Sequence, residues 1–496
     1  MQNLTSASVD STLFNNLKND KPLFDTAVIG GGVVGGFVLR ELTKYQLSCV
    51  MLEKANDVCM GQSKANSGIV HAGYDAKSGT LKAKFNILGS ELMPKVASEL
   101  GVKYINNGSL VVAFSEEDLN IVKSLKERGE KNGVKGLEIL TKEQLKEKEK
   151  NISDDAVGAL FAPTGGIICP YELTIASIGN AMDNGAKLLT SFEVCDIKVC
   201  NEGFILSSTE GEVVLARTVI NCAGLGSEKV ANLIGDNSFK IGARKGEYIL
   251  LDKTPFVNST LFFTPTEKGK GILVSSTVDG NVLLGPTSKE MESGSTQTEQ
   301  EGINLILSQV NRMCKNVPLN QTITSFAGVR AFCDRHDFII EKSKICERFI
   351  NVAGVESPGL TSAPAIAKYV VNELIGSLLP LKVNENFNPN RSKEYFFKRL
   401  SNEEKSKIIK QNPAFGKLVC KCENISEGEI VNAIKLNPPA TDIDAVKRRT
   451  RSGMGRCQGG FCQPNVAQIL ARELNIPLEK VTKKGKGSEI LAGVSK

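Results

Sequence analysis

Histidine is scarce in this 496-residue sequence: there are two, so imidazole chemistry is confined to His71 and His336. A large excess of either sign of charge is lacking too, with 61 Lys and Arg against 55 Asp and Glu. A formal +6 on so long a chain is mild and does not suggest a nucleic-acid partner. No uninterrupted apolar stretch approaches the roughly 20 residues that span a bilayer, so no transmembrane segment is expected. The first twenty residues have neither a basic start nor an apolar core, which argues against a secretory leader, and residues 1–23 read as a tail. Repeats and low-complexity segments are absent. Cysteine, by contrast, is plentiful. There are 13, an odd number, and most are scattered through apolar segments, as at Cys49, Cys195 and Cys222. They read as small buried hydrophobes in a reducing cytosol, so a cytoplasmic location is expected. The length suits two or three domains, and 41% hydrophobic content is ordinary for a globular chain.

The stretch from Thr26 to Glu53, TAVIGGGVVGGFVLRELTKYQLSCVMLE, organises the rest. An apolar run enters a glycine cluster, an amphipathic segment follows, and a second apolar run ends on an acid. This reads as strand, turn, helix, strand, with Gly30, Gly32 and Gly35 in the G-x-G-x-x-G frame. Gly30 permits the tight turn, Gly32 lets a pyrophosphate approach the backbone, and Gly35 lets the helix close on the strand. The helix N-terminus then faces the phosphates. Glu53 stands where a carboxylate accepts hydrogen bonds from ribose hydroxyls and repels a 2'-phosphate, which argues against NADP. NAD and FAD both remain open on this stretch.

Beyond it, GQSKANSGIVHAGYD, from Gly61 to Asp75, is small and polar enough to lie against a cofactor. His71 sits in it, either as a residue of the reaction or as a histidine bonded to backbone. Leu81 to Glu99 has helical spacing, Gly108 to Phe114 reads as a strand, and the charged region Ser115 to Lys150 as a solvated helical face. In GGIICPYELT, Pro170 ends a strand and a helix follows. Lys187 to Cys200 reads as a strand pair. Ala216 to Gly226, ARTVINCAGLG, is a second apolar strand breaking into small residues, and Gly224 there offers another close approach to the nucleotide. Phe239 to Leu284 alternates in short strands with turns at Lys268 to Gly271 and Asp279 to Asn281, an antiparallel pattern. Arg330 follows in SFAGVRAF and His336 in DRHDFII. Phe349 to Thr361 returns to strand and glycine, with a helix from Ser362 to Leu374.

Residues 377 to 415 read as a linker containing a basic helix. After it come Cys420-x-Cys422 and, with 34 residues intervening, Cys457-x4-Cys462. Two tight pairs can converge on one tetrathiolate site, and zinc and iron–sulfur suit it equally on chemical grounds. The second pair runs into a helix with Pro464 in its first turn, and Ser426 with Glu429 forms a capping box that starts another. Arg448, Arg449, Arg451 and Arg456 are placed to offset the negative charge of such a site or to form a docking face for an acidic partner.

Taken together, VIGGGVVGG with Glu53, NSGIVHAG, GGIICPYELT, VINCAGLGS and GVESPGLTSAPAIA resemble, in order, the FAD-dependent oxidoreductases of the D-amino-acid-oxidase type over roughly residues 24 to 376. The resemblance implies an α/β fold with a discontinuous Rossmann-like FAD domain (about 24–80, 160–235 and 340–376). An antiparallel-sheet substrate domain (about 81–159 and 236–339) is inserted in it. It implies FAD, with its ADP part on Gly30, Gly32, Gly35, Gly36 and Glu53, and Val194 near the adenine. Ser63, Asn66 and Ser67 would lie along the pyrophosphate and flavin, and Gly359, Leu360 and Thr361 at the flavin ring. Two branches resemble this chain: NSGIVHAGYD followed by SGTLKAKFN is similar both to the L-2-hydroxyglutarate dehydrogenases and to a short bacterial branch of glycerol 3-phosphate dehydrogenases, and FAGVRA resembles the segment of the latter whose arginine holds the substrate anion. Residues 416–480 resemble the bacterioferritin-associated-ferredoxin-like domain, a small helical module that binds a 2Fe-2S cluster; residues 481–496 are a tail. The pairing with this domain implies glycerol 3-phosphate oxidation, with electrons leaving singly through the cluster. A 2-hydroxy acid dehydrogenase, and an electron-transfer subunit or zinc-stabilised binding protein without a substrate, are the alternatives. Arg330 is then expected to bind a small anionic substrate and His71, or less favourably His336, to take its hydroxyl proton. An electron-acceptor protein or partner subunit is compatible with this reading.

Overall fold

A computed structural model describes residues 3–265, 271–292, 294–391 and 397–493, with side chains from residue 12 onward. The strand Leu23–Ile29 lies at the centre of an eight-stranded sheet, parallel to Val213–Asn221 on one side and Cys49–Leu52 on the other. Such a strand is covered on both faces, which is why it reads as an apolar run rather than an alternation. Lys187–Leu189 continues the parallel set beyond Cys49–Leu52, and Phe349–Ala353 joins it beside the C-terminal half of Val213–Asn221. All three chain segments expected in the dinucleotide domain thus meet in one sheet.

Lys187 to Cys200 is not a strand pair. Its two strands, Lys187–Leu189 and Val194–Val199, stand at opposite edges of this sheet, the second paired with Phe204–Ser208. Alternation reports a half-buried strand but not the identity of its neighbour.

The second large sheet has nine strands and carries the substrate side of the molecule. Its longest pairing sets Ile241–Lys253 antiparallel to Thr322–Cys333, with Ile241 opposite Cys333 and Arg244 opposite Arg330. One junction is parallel, Thr260–Phe263 beside Ser109–Ala113, because two separate insertions meet there rather than folding back through a hairpin. The turn at Val278–Gly280 joins two neighbouring strands as expected, whereas the one read at Lys268 to Gly271 falls mostly outside the described residues. The charged region from 115 to 150 holds two helices, Glu116–Asn132 and Lys142–Lys148, with the edge strand Glu138–Thr141 between them.

Two stretches expected to be loose are docked. Residues Asn3–Asp20 form a helix whose Phe14 is fully buried against Cys200, Ile205 and Leu215. In the stretch after 376, Asn388 and Pro389 accept hydrogen bonds through their carbonyls from Asn180 and Arg40, and the helix Asn402–Gln411 follows behind a capping box of Ser401 and Glu404. The C-terminal module packs the helices Glu427–Lys435, Ile443–Thr450 and Gln463–Leu474 around Ile430, Ile434, Val446 and Leu470. Ser426 and Glu429 form the capping box that starts the first of these. Among the described residues, no helix is long and apolar enough to cross a membrane.

Candidate active site and cluster site

The glycine turn after Leu23–Ile29 is built from close approaches. Gly30 has φ +109°, and a Cβ there would lie 2.5 Å from the Cys222 carbonyl oxygen. A Cβ on Gly35 would lie 2.1 Å from the Gly30 carbonyl oxygen, so the helix Val33–Leu42 rests directly on the turn. Gly32 differs. Within 4 Å of its Cβ position there is only the Ser63 hydroxyl, at 3.3 Å, and Gly32 lines a cavity of about 1380 Å³.

Glu53 lines the same cavity. One carboxylate oxygen accepts the Gly31 N–H at 2.6 Å and the other the Ala55 N–H at 2.8 Å. Burial pushes its carboxyl above the usual range, and these two N–H bonds only partly offset that. A buried, proton-hungry carboxylate is well suited to accept bonds from ribose hydroxyls. The glycine space and this acceptor fit the ADP portion of a dinucleotide.

Ser63, Asn66, Ser67, Val194, Gly224, Gly359 and Leu360 also line the cavity, as do His71 and Arg330. Four residues expected at the site do not. Gly35 serves the helix contact just described, and Gly36 lets the helix Pro170–Asp183 approach, since a Cβ would meet the Ser177 hydroxyl at 2.5 Å. Thr361 is buried behind the wall, where its hydroxyl accepts the His71 N–H at 2.9 Å. His336 occupies a turn at φ +57°, and its carbonyl accepts a bond from the cavity-lining Lys82.

His71 is held from both sides of its peptide: Thr361 takes its N–H, and its carbonyl accepts the Asn86 amide at 2.6 Å. Its ring nitrogen Nε2 lies 3.2 Å from the Ser357 hydroxyl. Arg330 donates to the Thr287 carbonyl at 3.3 Å, and among the described residues no carboxylate forms a salt bridge with it. The strand facing it supplies residues that the sequence reading passed over. Arg244, Gly246 and Tyr248 alternate along Ile241–Lys253, opposite Arg330, Gly328 and Phe326. Arg244 and Tyr248 line the cavity, Tyr248 stacked on Phe326 with ring centroids 4.9 Å apart. Gly246 leaves room for the Arg330 guanidinium, and a Cβ on Gly328 would lie 1.9 Å from the Ala65 carbonyl oxygen. The period-2 placement of Arg244, Gly246 and Tyr248 in GARKGEY was the signal available.

At the C-terminal end the cysteines form two pairs. The sulfurs of Cys422 and Cys457 are 3.8 Å apart, and Cys462 faces Cys420. Two thiolates on one tetrahedral ion with bonds of about 2.3 Å sit about that far apart. Among the described residues, no three His, Cys, Asp or Glu side chains gather around a single point. Two pairs of sulfurs brought together in this way fit the four thiolate ligands of a binuclear cluster. The Gly459 N–H bonds the Cys457 sulfur and holds that thiol below its usual range, as a thiolate ligand requires, while burial pushes Cys462 up to about 11.

Three of the four arginines near these cysteines, Arg448, Arg449 and Arg451, do other work. Arg448 and Arg449 both bind Asp57, beside the dinucleotide turn, at 2.5 and 2.8 Å. Arg451 reaches Asp279, Glu423 and the Tyr171 hydroxyl. They staple the cluster module to the rest of the chain instead of facing a partner. Burial pushes Asp57 up, but the guanidinium groups of Arg449 and Arg448 outweigh it and hold its carboxyl below the ordinary 3.8.

A glycine-turn sheet with an acid at the ribose position, a cavity large enough for a dinucleotide and a substrate, and an inward arginine define a dinucleotide-dependent oxidoreductase. Comparison with known proteins narrows this. Residues 25–373 match the model of the FAD dependent oxidoreductase family, and residues 418–472 that of the BFD-like 2Fe-2S binding domain. A glycerol 3-phosphate dehydrogenase of Caloramator mitchellensis is 47% identical over 96% of this chain and 99% of its own. A glycerol 3-phosphate oxidase of Mycoplasma genitalium is 33% identical over 74% of this chain and 98% of its own, and a bovine mitochondrial L-2-hydroxyglutarate dehydrogenase is 28% identical over 71% and 88%. Among solved structures, the FAD-bound L-alpha-glycerophosphate oxidase of Mycoplasma pneumoniae superposes with a TM-score of 0.71 at 28% identity, covering 75% of this chain and 98% of that one. The chain belongs to the FAD-dependent oxidoreductase family. FAD and a 2Fe-2S cluster are its cofactors.

Proposed function

We propose that the chain oxidises glycerol 3-phosphate to dihydroxyacetone phosphate. The observation that carries this reading is Arg330: a cavity-lining guanidinium with no carboxylate partner among the described residues, set opposite a second arginine, Arg244. An anionic substrate supplies the missing charge, and a guanidinium binds phosphate in a two-pronged geometry. The near full-length relative named a glycerol 3-phosphate dehydrogenase supports phosphate over carboxylate.

FAD supplies the acceptor for the hydride from the carbinol carbon, and the cluster accepts electrons one at a time. The remaining work falls to the protein. Arg330 anchors the phosphate, and His71, its backbone held by Thr361 and Asn86, takes the hydroxyl proton on its imidazole once the substrate hydroxyl replaces Ser357 beside Nε2. Gly32, Ser63, Glu53, Val194 and Gly224 hold the ADP part of FAD, and Asn66, Ser67, Gly359 and Leu360 face its flavin end. Cys420, Cys422, Cys457 and Cys462 hold the cluster, and an electron-accepting protein receives what leaves it.

Dye-coupled turnover of the purified holoenzyme tests the substrate. Glycerol 3-phosphate is expected to support it and L-2-hydroxyglutarate to be at least ten-fold poorer in kcat/KM. Turnover with the hydroxy acid alone would transfer the reading to a 2-hydroxy acid dehydrogenase, and turnover with neither to an electron-transfer subunit.

A further inference from the structure

Phe461, between Cys457 and Cys462, is 85% exposed, more than any other large hydrophobic side chain among the described residues. It stands where the outer pair of cysteines opens to solvent: Cys422 is exposed and Cys457 half-buried, whereas Cys420 and Cys462 lie inside. The exposed charge in this loop region has one sign. Lys421 lies between the first two cysteines and Arg456 precedes the third, and neither segment 416–422 nor segment 452–464 contains an acidic residue. The adjoining Glu423 is buried and already engaged by Lys253 and Arg451. Arg456 pairs with Asp252 at 2.8 Å yet stays 72% exposed, and among the described residues Lys421 has no ion pair.

An exposed aromatic with a cationic rim is the make-up of a small transient protein contact: the ring supplies the desolvated centre, and the charges steer the partner in. The cluster loop presents the two together. We propose that this surface docks an acidic one-electron carrier protein, with Phe461 at the centre and Lys421 and Arg456 at the rim. The inference rests on the reading that electrons leave through the cluster. Two carriers in succession take the two electrons of one alcohol, each carrier being reduced by one electron, and the two protons pass to solvent.

Binding is measured on the oxidised holoenzyme by fluorescence anisotropy with an acidic flavodoxin as the probe, so the result does not depend on the substrate. Wild type is expected to bind, with affinity falling at least ten-fold between about 50 and about 300 mM salt. Phe461→Ser and Lys421→Glu should each weaken binding at least ten-fold, while iron content, flavin content and turnover with a small dye stay at wild-type values. Failure of the flavodoxin to bind, binding indifferent to salt and to both variants, or light scattering that reveals a Phe461-dependent dimer would overturn the proposal. Loss of dye turnover with glycerol 3-phosphate in the wild type would instead count against the substrate reading alone.

Discussion

Around the dinucleotide turn the decisive positions carry no side chain, whereas around the cluster they carry four sulfurs. At Gly30 and Gly35 an added Cβ would strike backbone at 2.5 and 2.1 Å, and at Gly32 it would enter the cavity. At Cys422 and Cys457 the side chains themselves are the site, 3.8 Å apart in a small module with its own apolar core. The first site is made by exclusion and depends on the whole sheet; the second is made by ligation and depends on one module. Damage should therefore travel differently from each.

Gly32→Val and Cys457→Ser give the largest expected effects and separate the two sites. Gly32→Val should fold, since only the Ser63 hydroxyl stands near its Cβ, but the protein should be colourless in the flavin bands. Full FAD occupancy in this variant would break the placement. Cys457→Ser should lose iron and labile sulfide yet keep flavin at wild-type occupancy, as metal analysis and absorption will report. Loss of both cofactors would mean that the module is not an independent unit.

The junction between the two regions comes next. Asp57→Asn removes the carboxylate that the buried Arg448 and Arg449 side chains share and should cost about 3 kcal/mol in a denaturant titration. Because the folded-state carboxyl of Asp57 titrates below its ordinary 3.8, its stabilisation is complete above that value and is lost as pH falls through the depressed one. Wild-type stability should therefore drop more steeply than that of Asp57→Asn as pH falls below about 4. Parallel slopes would remove Asp57 from this role.

Within the cavity, His71→Asn should slow flavin reduction by about 100-fold with substrate affinity little changed. Arg330→Lys keeps the charge but loses the fork, and should raise KM by about 30-fold, the equivalent of about 2 kcal/mol. An unchanged KM would move the anion site to Arg244.

What the sequence disclosed follows the same division. The glycine turn, Glu53 and the cysteine pairs were legible because each depends on residue type at short spacing. Arg244 was less so: the period-2 spacing of GARKGEY puts it on one face of a strand, but its standing opposite Arg330, more than 80 residues away in the chain, is a matter of register that this spacing does not encode. Arg448, Arg449 and Arg451 were placed in the right domain but given the wrong partner, since composition shows a basic cluster and not the Asp57, Glu423 and Asp279 that face it. His336 and Thr361 were near the site in sequence, yet one lies in a turn outside the cavity and the other behind its wall. The N-terminal helix escaped notice because its polar residues outnumber the apolar ones, and its docking rests on Phe14 with Leu17 beside it.

The central claim is that one chain takes a hydride from glycerol 3-phosphate at the flavin and hands the electrons on through its own cluster. Anaerobic rapid mixing of the holoenzyme with glycerol 3-phosphate, following flavin absorbance and the paramagnetic signal of the reduced cluster in the same samples, tests it directly. The account predicts flavin bleaching and a cluster signal in wild type, and bleaching with no signal in Cys457→Ser. Bleaching of the wild-type flavin with a cluster that stays oxidised would contradict it.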